Sequence, residues 1–367
     1  MKAKSLSLRQ CAASALVIGT TLIFMPPEAN ACVNTPSEDF FSENCYLDGA
    51  ASSAIVETAL DALNYIVDDA IESDLGLANG TPPAGTAPFG VFASGQWAHT
   101  DHDGFSISNG PLTIAGPSFD VDEFSAAVSV DFNAAKHFGF DSEHGLNIGV
   151  FGGYASADLD VDPSGFFDGN GDAENESGMF GGYGLYRRGT TYALVAVSAF
   201  LGETDVDSDA FGGSGSYDTD GYAITGSVGR IFNVSDRVRL DLRGGLLGVD
   251  FTGDAYTDSD GRSHGESRLS FGAVKFDPGV YADYQLQNGM VISPYARLDM
   301  QQRFDYSNTA SVRGDESEFD DADFSAALSA GFNLKMSALT TFSSEIRGKW
   351  SDDSSAVSGK LGLKIAF

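Results

Sequence analysis

The sequence predicts an all-β fold: a 12-stranded antiparallel transmembrane β-barrel preceded by one α-helix. Three observations predict it. Many segments of 10 to 15 residues alternate with period two, the mark of strands whose two faces meet different surroundings. The connections between them alternate between short and long, as in bacterial barrels with tight periplasmic turns and long surface loops. The chain ends on an aromatic, Phe367, in a regular strand.

Composition narrows the classes. The chain has 367 residues, with 52 acidic and 21 basic, for a formal net charge of -31. A nucleic-acid binder needs a basic face to displace phosphate counterions, so that partner is excluded. The 27 Phe and 13 Tyr exclude wholesale disorder, and 44 Gly without a Gly-X-Y period exclude collagen.

Residues 1–31 read as a Sec-type signal peptide. Lys2, Lys4 and Arg9 are basic; Cys11 to Met25 is mostly apolar; Ala29-Asn30-Ala31 offers a cleavage site. The apolar stretch is shorter than the roughly 20 residues a spanning helix needs. Cys32 then stands at the new N-terminus of a short segment, 32–51. A Cys32–Cys45 disulfide suits an exported protein, and lipidation of Cys32 or free thiols are the alternatives.

Residues 52–78 read as an amphipathic helix. Val56, Ala59, Leu60, Leu63, Ile66, Val67, Ala70 and Ile71 follow the i, i+3, i+4 spacing. Glu57, Asp61, Asp68 and Glu72 form a narrow acidic stripe with Asn64 beside it, and the segment has no Lys or Arg to pair them. The helix is therefore a candidate pore plug; the alternative is a helix packed outside the pore. Residues 79–88, with three prolines, are a linker.

Strands are expected near 89–98, 121–133, 145–156, 177–187, 190–203, 217–233, 237–252, 266–287, 291–305, 322–335, 338–351 and 355–367. Arg188-Gly189, Val234 to Asp236, Asn288-Gly289 and Met336-Ser337 are tight turns, and Ala134 to Gly145 is a longer turn on the same side. The intervening segments near 99–120, 157–176, 203–220, 250–266 and 305–323 read as long acidic loops. In 266–287 the apolar face changes parity across Lys275 to Pro278, which predicts a bulge there.

A cation on the lipid face at mid-depth costs about 2–4 kcal/mol. Arg239, Arg243, Arg297, Arg303, Arg347, Lys349, Lys360 and Lys364 are thus expected to line the pore, against only Asp241, Asp299 and Glu345. Outer-membrane lipid and lipopolysaccharide are the expected surroundings. Divalent cations at the loops are possible partners, with Asp168, Asn170 and Asp172 as weak metal candidates; that stretch lacks the glycine and terminal glutamate of an EF-hand. The five histidines show no spacing with a nucleophile that would suggest catalysis, and His99-Thr-Asp-His102-Asp103 reads as exposed loop. No cofactor is implied.

Over residues 52–367 the chain resembles the translocator (β-barrel) domain of autotransporters. The resemblance rests on the helix before the barrel, the strand number, and Gly289-Met-Val-Ile-Ser-Pro-Tyr-Ala-Arg-Leu-Asp-Met-Gln-Gln-Arg-Phe304. The terminal Lys-Leu-Gly-Leu-Lys-Ile-Ala-Phe is similar to the signal read by the barrel-assembly machinery, with Leu363, Ile365 and Phe367 as its apolar positions. The family implies a helix threading the barrel, a place in the outer membrane of a Gram-negative bacterium, and a role as a translocator that brings a passenger to the surface. Residues 32–88 are too few for a large passenger, and no Asn-Asn dipeptide is present for self-cleavage. A stand-alone form displaying its own acidic loops is the expected function, with a porin-like channel of basic, anion-favouring lumen as the alternative.

Overall fold

A computed structural model describes residues 43–75, 88–109, 112–135, 137–140, 143–162, 171–208, 213–287 and 289–367. One helix, α1 (Glu43–Asp74), is followed by twelve wall strands. These are β1 (Phe89–His102), β2 (Phe119–Asn133), β3 (His144–Val161), β4 (Gly171–Arg188), β5 (Thr191–Ser208) and β6 (Gly215–Asn233). Then come β7 (Val238–Gly253), β8 (Ser267–Ala282), β9 (Val291–Val312), β10 (Phe324–Lys335), β11 (Thr340–Ser351) and β12 (Ser354–Ala366). Each pairs antiparallel with its sequence neighbours, and β1 pairs with both β2 and β12, so the sheet closes on itself. Closure removes the free edges that no strand could leave unpaired in lipid. Phe367 completes the seam: its amide donates to the Phe89 carbonyl at 3.0 Å, and the Phe89 amide donates back at 3.1 Å. Leu363, Ile365 and Phe367 all face outward and are exposed.

Two aromatic levels mark the membrane. Phe89 stands opposite Phe132 at the short-turn end, and Trp97 stands opposite Phe124 eight residues up the same strand pair. At about 3.4 Å per residue and a tilt near 40°, that span is about 20 Å in height, close to the apolar band of such barrels. Val128, Val130, Ile148, Val150, Val195 and Val197 lie exposed on the outer wall between the levels.

The structure changes three sequence expectations. The helix begins at Glu43 and ends at Asp74 instead of spanning 52–78, so it takes up most of the expected segment 32–51. Its first turns contain Gly49 and weak helix formers, and they are stabilised by packing: Cys45, Tyr46, Leu47 and Ala50 are buried. Secondly, much of the expected loop sequence is strand. β3 runs to Val161, β5 to Ser208 and β9 to Val312, and a hairpin of 106–109 with 112–115 and a short strand at Asp315–Asp320 extend the wall further. Runs such as Asp158-Leu-Asp-Val161 alternate, with the acid outside and the apolar residue inside. Thirdly, β8 is a single strand with one parity from Ser267 to Ala282. Its register shift lies at Ser270 to Gly272, against β9 where Asp305 adopts φ 51°, and not at Lys275 to Pro278. The apolar face changes without a bulge because the surroundings change. Leu269, Phe271 and Ala273 pack inward against the upper barrel core, whereas Val274, Phe276 and Val280 face lipid lower down.

The expected signal peptide 1–31 and Cys32 lie outside the described residues, as does most of the linker. Cys45 is disulfide-bonded and fully buried.

Candidate functional site: the occupied lumen

The helix lies inside the barrel. Its N-terminal end is at the long-loop mouth, where Tyr46 donates its hydroxyl proton to the Pro117 carbonyl at 2.6 Å. Its C-terminal end is at the short-turn mouth beside the seam, where Lys364 contacts Asp69 at 3.1 Å. The chain thus descends through the lumen before entering β1.

All eight expected basic residues point inward. Arg243 pairs with Asp68 at 2.9 Å and with Asp277 at 3.2 Å. Arg297 pairs with Asp68 at 2.8 Å, Asp299 at 3.1 Å, Glu345 at 3.2 Å and Glu72 at 3.6 Å. Arg303 and Lys349 both hold Glu57. Arg347 lies 3.6 Å from Asp61. Lys364 bridges Asp69 and Asp131, at 3.1 and 3.0 Å. Lys360 sits 3.5 Å from Glu345 and 5.0 Å above the Tyr65 ring. Arg239 pairs with Asp283 at 2.8 Å. The helical stripe Glu57, Asp61, Asp68, Glu72 therefore meets the basic wall along four helical turns. Asn64, beside the stripe, accepts from Lys275 at 2.9 Å, and Glu72 accepts from Tyr281 at 3.0 Å and Asn333 at 2.9 Å.

The apolar side of the helix finds a different wall. The inner faces of β3 to β6 present Ala155, Ala157, Ala173, Ala196 and Ala223, with Phe151, Met179 and Phe200. All of these but Ala155 belong to one buried cluster with Ile55, Ala59, Leu63, Ile66 and Ala70, and Ala155 lines a small gap beside Ile55 and Ala59. Small residues let the helix approach the sheet. The lumen is thus two half-walls, one apolar and one cationic, which match the two faces of the helix.

A second cluster fixes the helix at the surface mouth. His264 is fully buried, 3.3 Å from Asp48 of the helix and 3.2 Å from Asp258 of the loop. Tyr256 stacks on its ring at 4.4 Å and donates to Asp48 at 3.0 Å. Burial alone would lower the His264 pKa, but hydrogen bonds and charge from Asp48 and Asp258 outweigh it and hold His264 above its usual value.

The sequence reading missed several carboxylates that complete the lumen: Asp69 on the helix, and Glu123, Asp131, Asp283 and Asp321 on the barrel side. Asp69 follows Asp68 and was masked by the stripe; Asp321 was assigned to a loop, although it pairs with Arg303. For Glu123 and Asp131 the only signal was strand parity. His99 and His102 are three residues apart on β1 and so face opposite sides. His99 is outside, where it bonds Asp122 at 2.8 Å; His102 is inside, 3.4 Å from Asp321. Asp168 and Asn170 lie outside the described residues, and Asp172 faces out from β4 opposite Asp160 and Asp207.

The model of the family described as the autotransporter beta-domain matches residues 134–347. Three solved structures are similar. The translocator domain of the autotransporter NalP from Neisseria meningitidis is 13% identical with a TM-score of 0.62, over 89% of this chain and 100% of that one. The transport unit of AIDA-I from Escherichia coli is 15% identical with a TM-score of 0.58, over 83% and 97%. The beta domain of the Bordetella autotransporter BrkA is 17% identical with a TM-score of 0.54, over 75% and 99%. No curated protein matches by sequence.

Proposed function

The chain belongs to the autotransporter beta-domain family and is an outer-membrane translocator barrel of a Gram-negative bacterium, and on that premise we propose that it is a self-stoppered translocator whose own helix closes the pore. The observation that carries the reading is the match of the acidic stripe to the basic half-wall. A helix left in the lumen only by its apolar face would leave Arg243, Arg297, Arg303 and Arg347 as buried charges without carboxylates from the plug, and unpaired buried charge is strongly unfavourable. The helix direction supports delivery of the segment ahead of Glu43 to the surface side, with the acidic strand ends as the displayed wall. Its partners would be lipopolysaccharide around the wall and the barrel-assembly machinery at the C-terminal strand.

Reversing the stripe (Glu57→Lys, Asp61→Lys, Asp68→Lys and Glu72→Lys together) should displace the helix and raise single-channel conductance several-fold in planar bilayers. Unchanged conductance contradicts the stopper. A porin-like, anion-favouring channel would instead conduct in the native protein, and liposome swelling by wild type equal to that of the reversed variant would favour it.

A further inference from the structure

Outward-facing charge is not uniform along the barrel. At the short-turn end one cross-strand row runs His144, Arg188, Thr191, Arg230 over β3 to β6. Arg188, Thr191 and Arg230 are exposed, and they share their face with lipid-facing Tyr186, Val228 and Phe232. Two strand spacings put the arginine backbones about 10 Å apart. Arg230 lies over the Phe232 ring at 5.2 Å. His144 and the Tyr186 hydroxyl are 2.6 Å apart, and Phe140, exposed in the neighbouring turn, packs on Tyr186. Among the described residues neither Arg188 nor Arg230 has a carboxylate partner. Glu143, next to His144, lies just outside β3, and its carbonyl accepts from the Gly189 amide at 2.8 Å.

We propose that this row is a binding site for the phosphodiester of an anionic phospholipid in the periplasmic leaflet. The charge and the setting agree. Guanidinium groups pair with phosphate oxygens in a bidentate way. Thr191 puts a hydroxyl between them, Tyr186 lies on the acyl-chain side of Arg188, and Phe232 and Phe140 flank the row on its turn side. The row lies within three residues of the short-turn ends of β3 to β6, the end that faces the periplasmic headgroups. The opposite end of the same strands repels such a lipid: Asp158, Glu174 and Asp205 form a row there, and no outward cation interrupts it. The site is therefore one-sided, and it pins the barrel's depth and orientation. It rests on the outer-membrane reading.

The test uses the full mature chain in detergent, with native mass spectrometry after addition of equal phosphatidylglycerol and phosphatidylcholine. Wild type should retain phosphatidylglycerol preferentially, and Arg188→Gln with Arg230→Gln should cut that preference about thirtyfold, the effect expected of two surface cations. Arg188→Lys with Arg230→Lys should keep part of it. Arg237→Gln, in an exposed turn off the wall, should keep all of it. Equal retention of both lipids by wild type, an unchanged preference in the double glutamine variant, or an equal loss in Arg237→Gln overturns the site. Heat-modifiable migration on a gel verifies that each variant is folded; if the double variant is not, the single glutamine variants take its place, with loss of preference in each supporting the site and none in either refuting it. Wild type without heat-modifiable migration would refute the barrel reading itself, a result distinct from failure of the site.

Discussion

The membrane belt and the collar above it are built from the same strands with their polarity reversed. On β3, Ile148, Val150 and Tyr154 face outward in the belt, and Asp158 and Asp160 face outward in the collar. On the inner face of β7, Arg239, Asp241 and Arg243 give way upward to Leu247, Val249 and Phe251. The reason is that each face answers to its own solvent. Outside, lipid is replaced by water at the upper aromatic level. Inside, the charged stripe of α1 is replaced by first turns in which Tyr46 packs among Phe105, Phe119 and Phe319 and the Asp48 carboxylate is held by His264. The collar is an ordinary water-soluble barrel end set on a membrane one. Its carboxylates stand directly opposite one another, Asp158 beside Asp122 and Glu174, Asp172 beside Asp160 and Asp207. Such pairs destabilise a sheet, and they persist because they are exposed to screening by water and ions.

Perturbing each region should expose this difference. The largest effect belongs to the belt interior. Arg297→Ala takes the shared cation from Asp68, Asp299 and Glu345 in a buried site, leaving them to Arg243, Arg347 and Lys360 respectively, and should cost about 3–5 kcal/mol in urea unfolding. A loss under about 1 kcal/mol would mean that the charged half-wall is solvated and does not grip the helix. Next comes the outer face. Val150→Arg, at mid-depth, should cost about 2–4 kcal/mol, whereas Asp158→Arg on the same face of the same strand should be neutral or stabilising. Equal costs at the two sites would erase the boundary between belt and collar.

The collar's latch gives a pH signature. His264 has its pKa raised in the folded protein, so its contribution is fully present below the unfolded-state value and is lost as pH rises through the folded one. The thermal midpoint of wild type should therefore fall relative to that of His264→Gln as pH goes from 6 to 9, and parallel profiles would show that His264 does not hold the helix. Asp158 shows the same sign for a different reason. Burial and then the charges of Asp122, Asp160 and Glu176 raise its pKa, so it favours the fold at low pH and opposes it once ionised. Asp158→Asn should accordingly stabilise the protein at pH 7 by a small amount, about 0.2–1 kcal/mol, with a smaller gain in high salt; a loss of stability would refute the like-charge account.

The belt was legible in the sequence because two strong rules act there together. Period two assigns faces, and the cost of a cation in lipid assigns Arg243, Arg297 and Arg347 to the inside. The collar was not legible as wall because acidic alternation with Gly and Ser also describes a loop; only partner strands distinguish Asp158-Leu-Asp-Val161 from a solvated turn. The N-terminal turns of α1 were hidden for a related reason. Asp48-Gly49 argues against a helix locally, and what stabilises it comes from distant contacts, such as Asn308 donating to the Gly49 carbonyl at 2.9 Å. The acidic stripe was visible, but the apolar half of the lumen that receives the other side of the helix was not. Ala155, Ala157, Ala196 and Ala223 are small residues whose role depends on what is packed against them.

The account's centre is a helix seated in the lumen with its stripe toward β7 to β11. A photo-crosslinking amino acid in place of Asn64, in the purified full-length protein, tests it most directly. Asn64 lies 2.9 Å from Lys275, so irradiation should yield an intramolecular crosslink to a barrel peptide containing Lys275 or its inward neighbours on β7 and β9. Crosslinks only between molecules, or to outward-facing residues of the barrel, would show that the helix packs outside the pore.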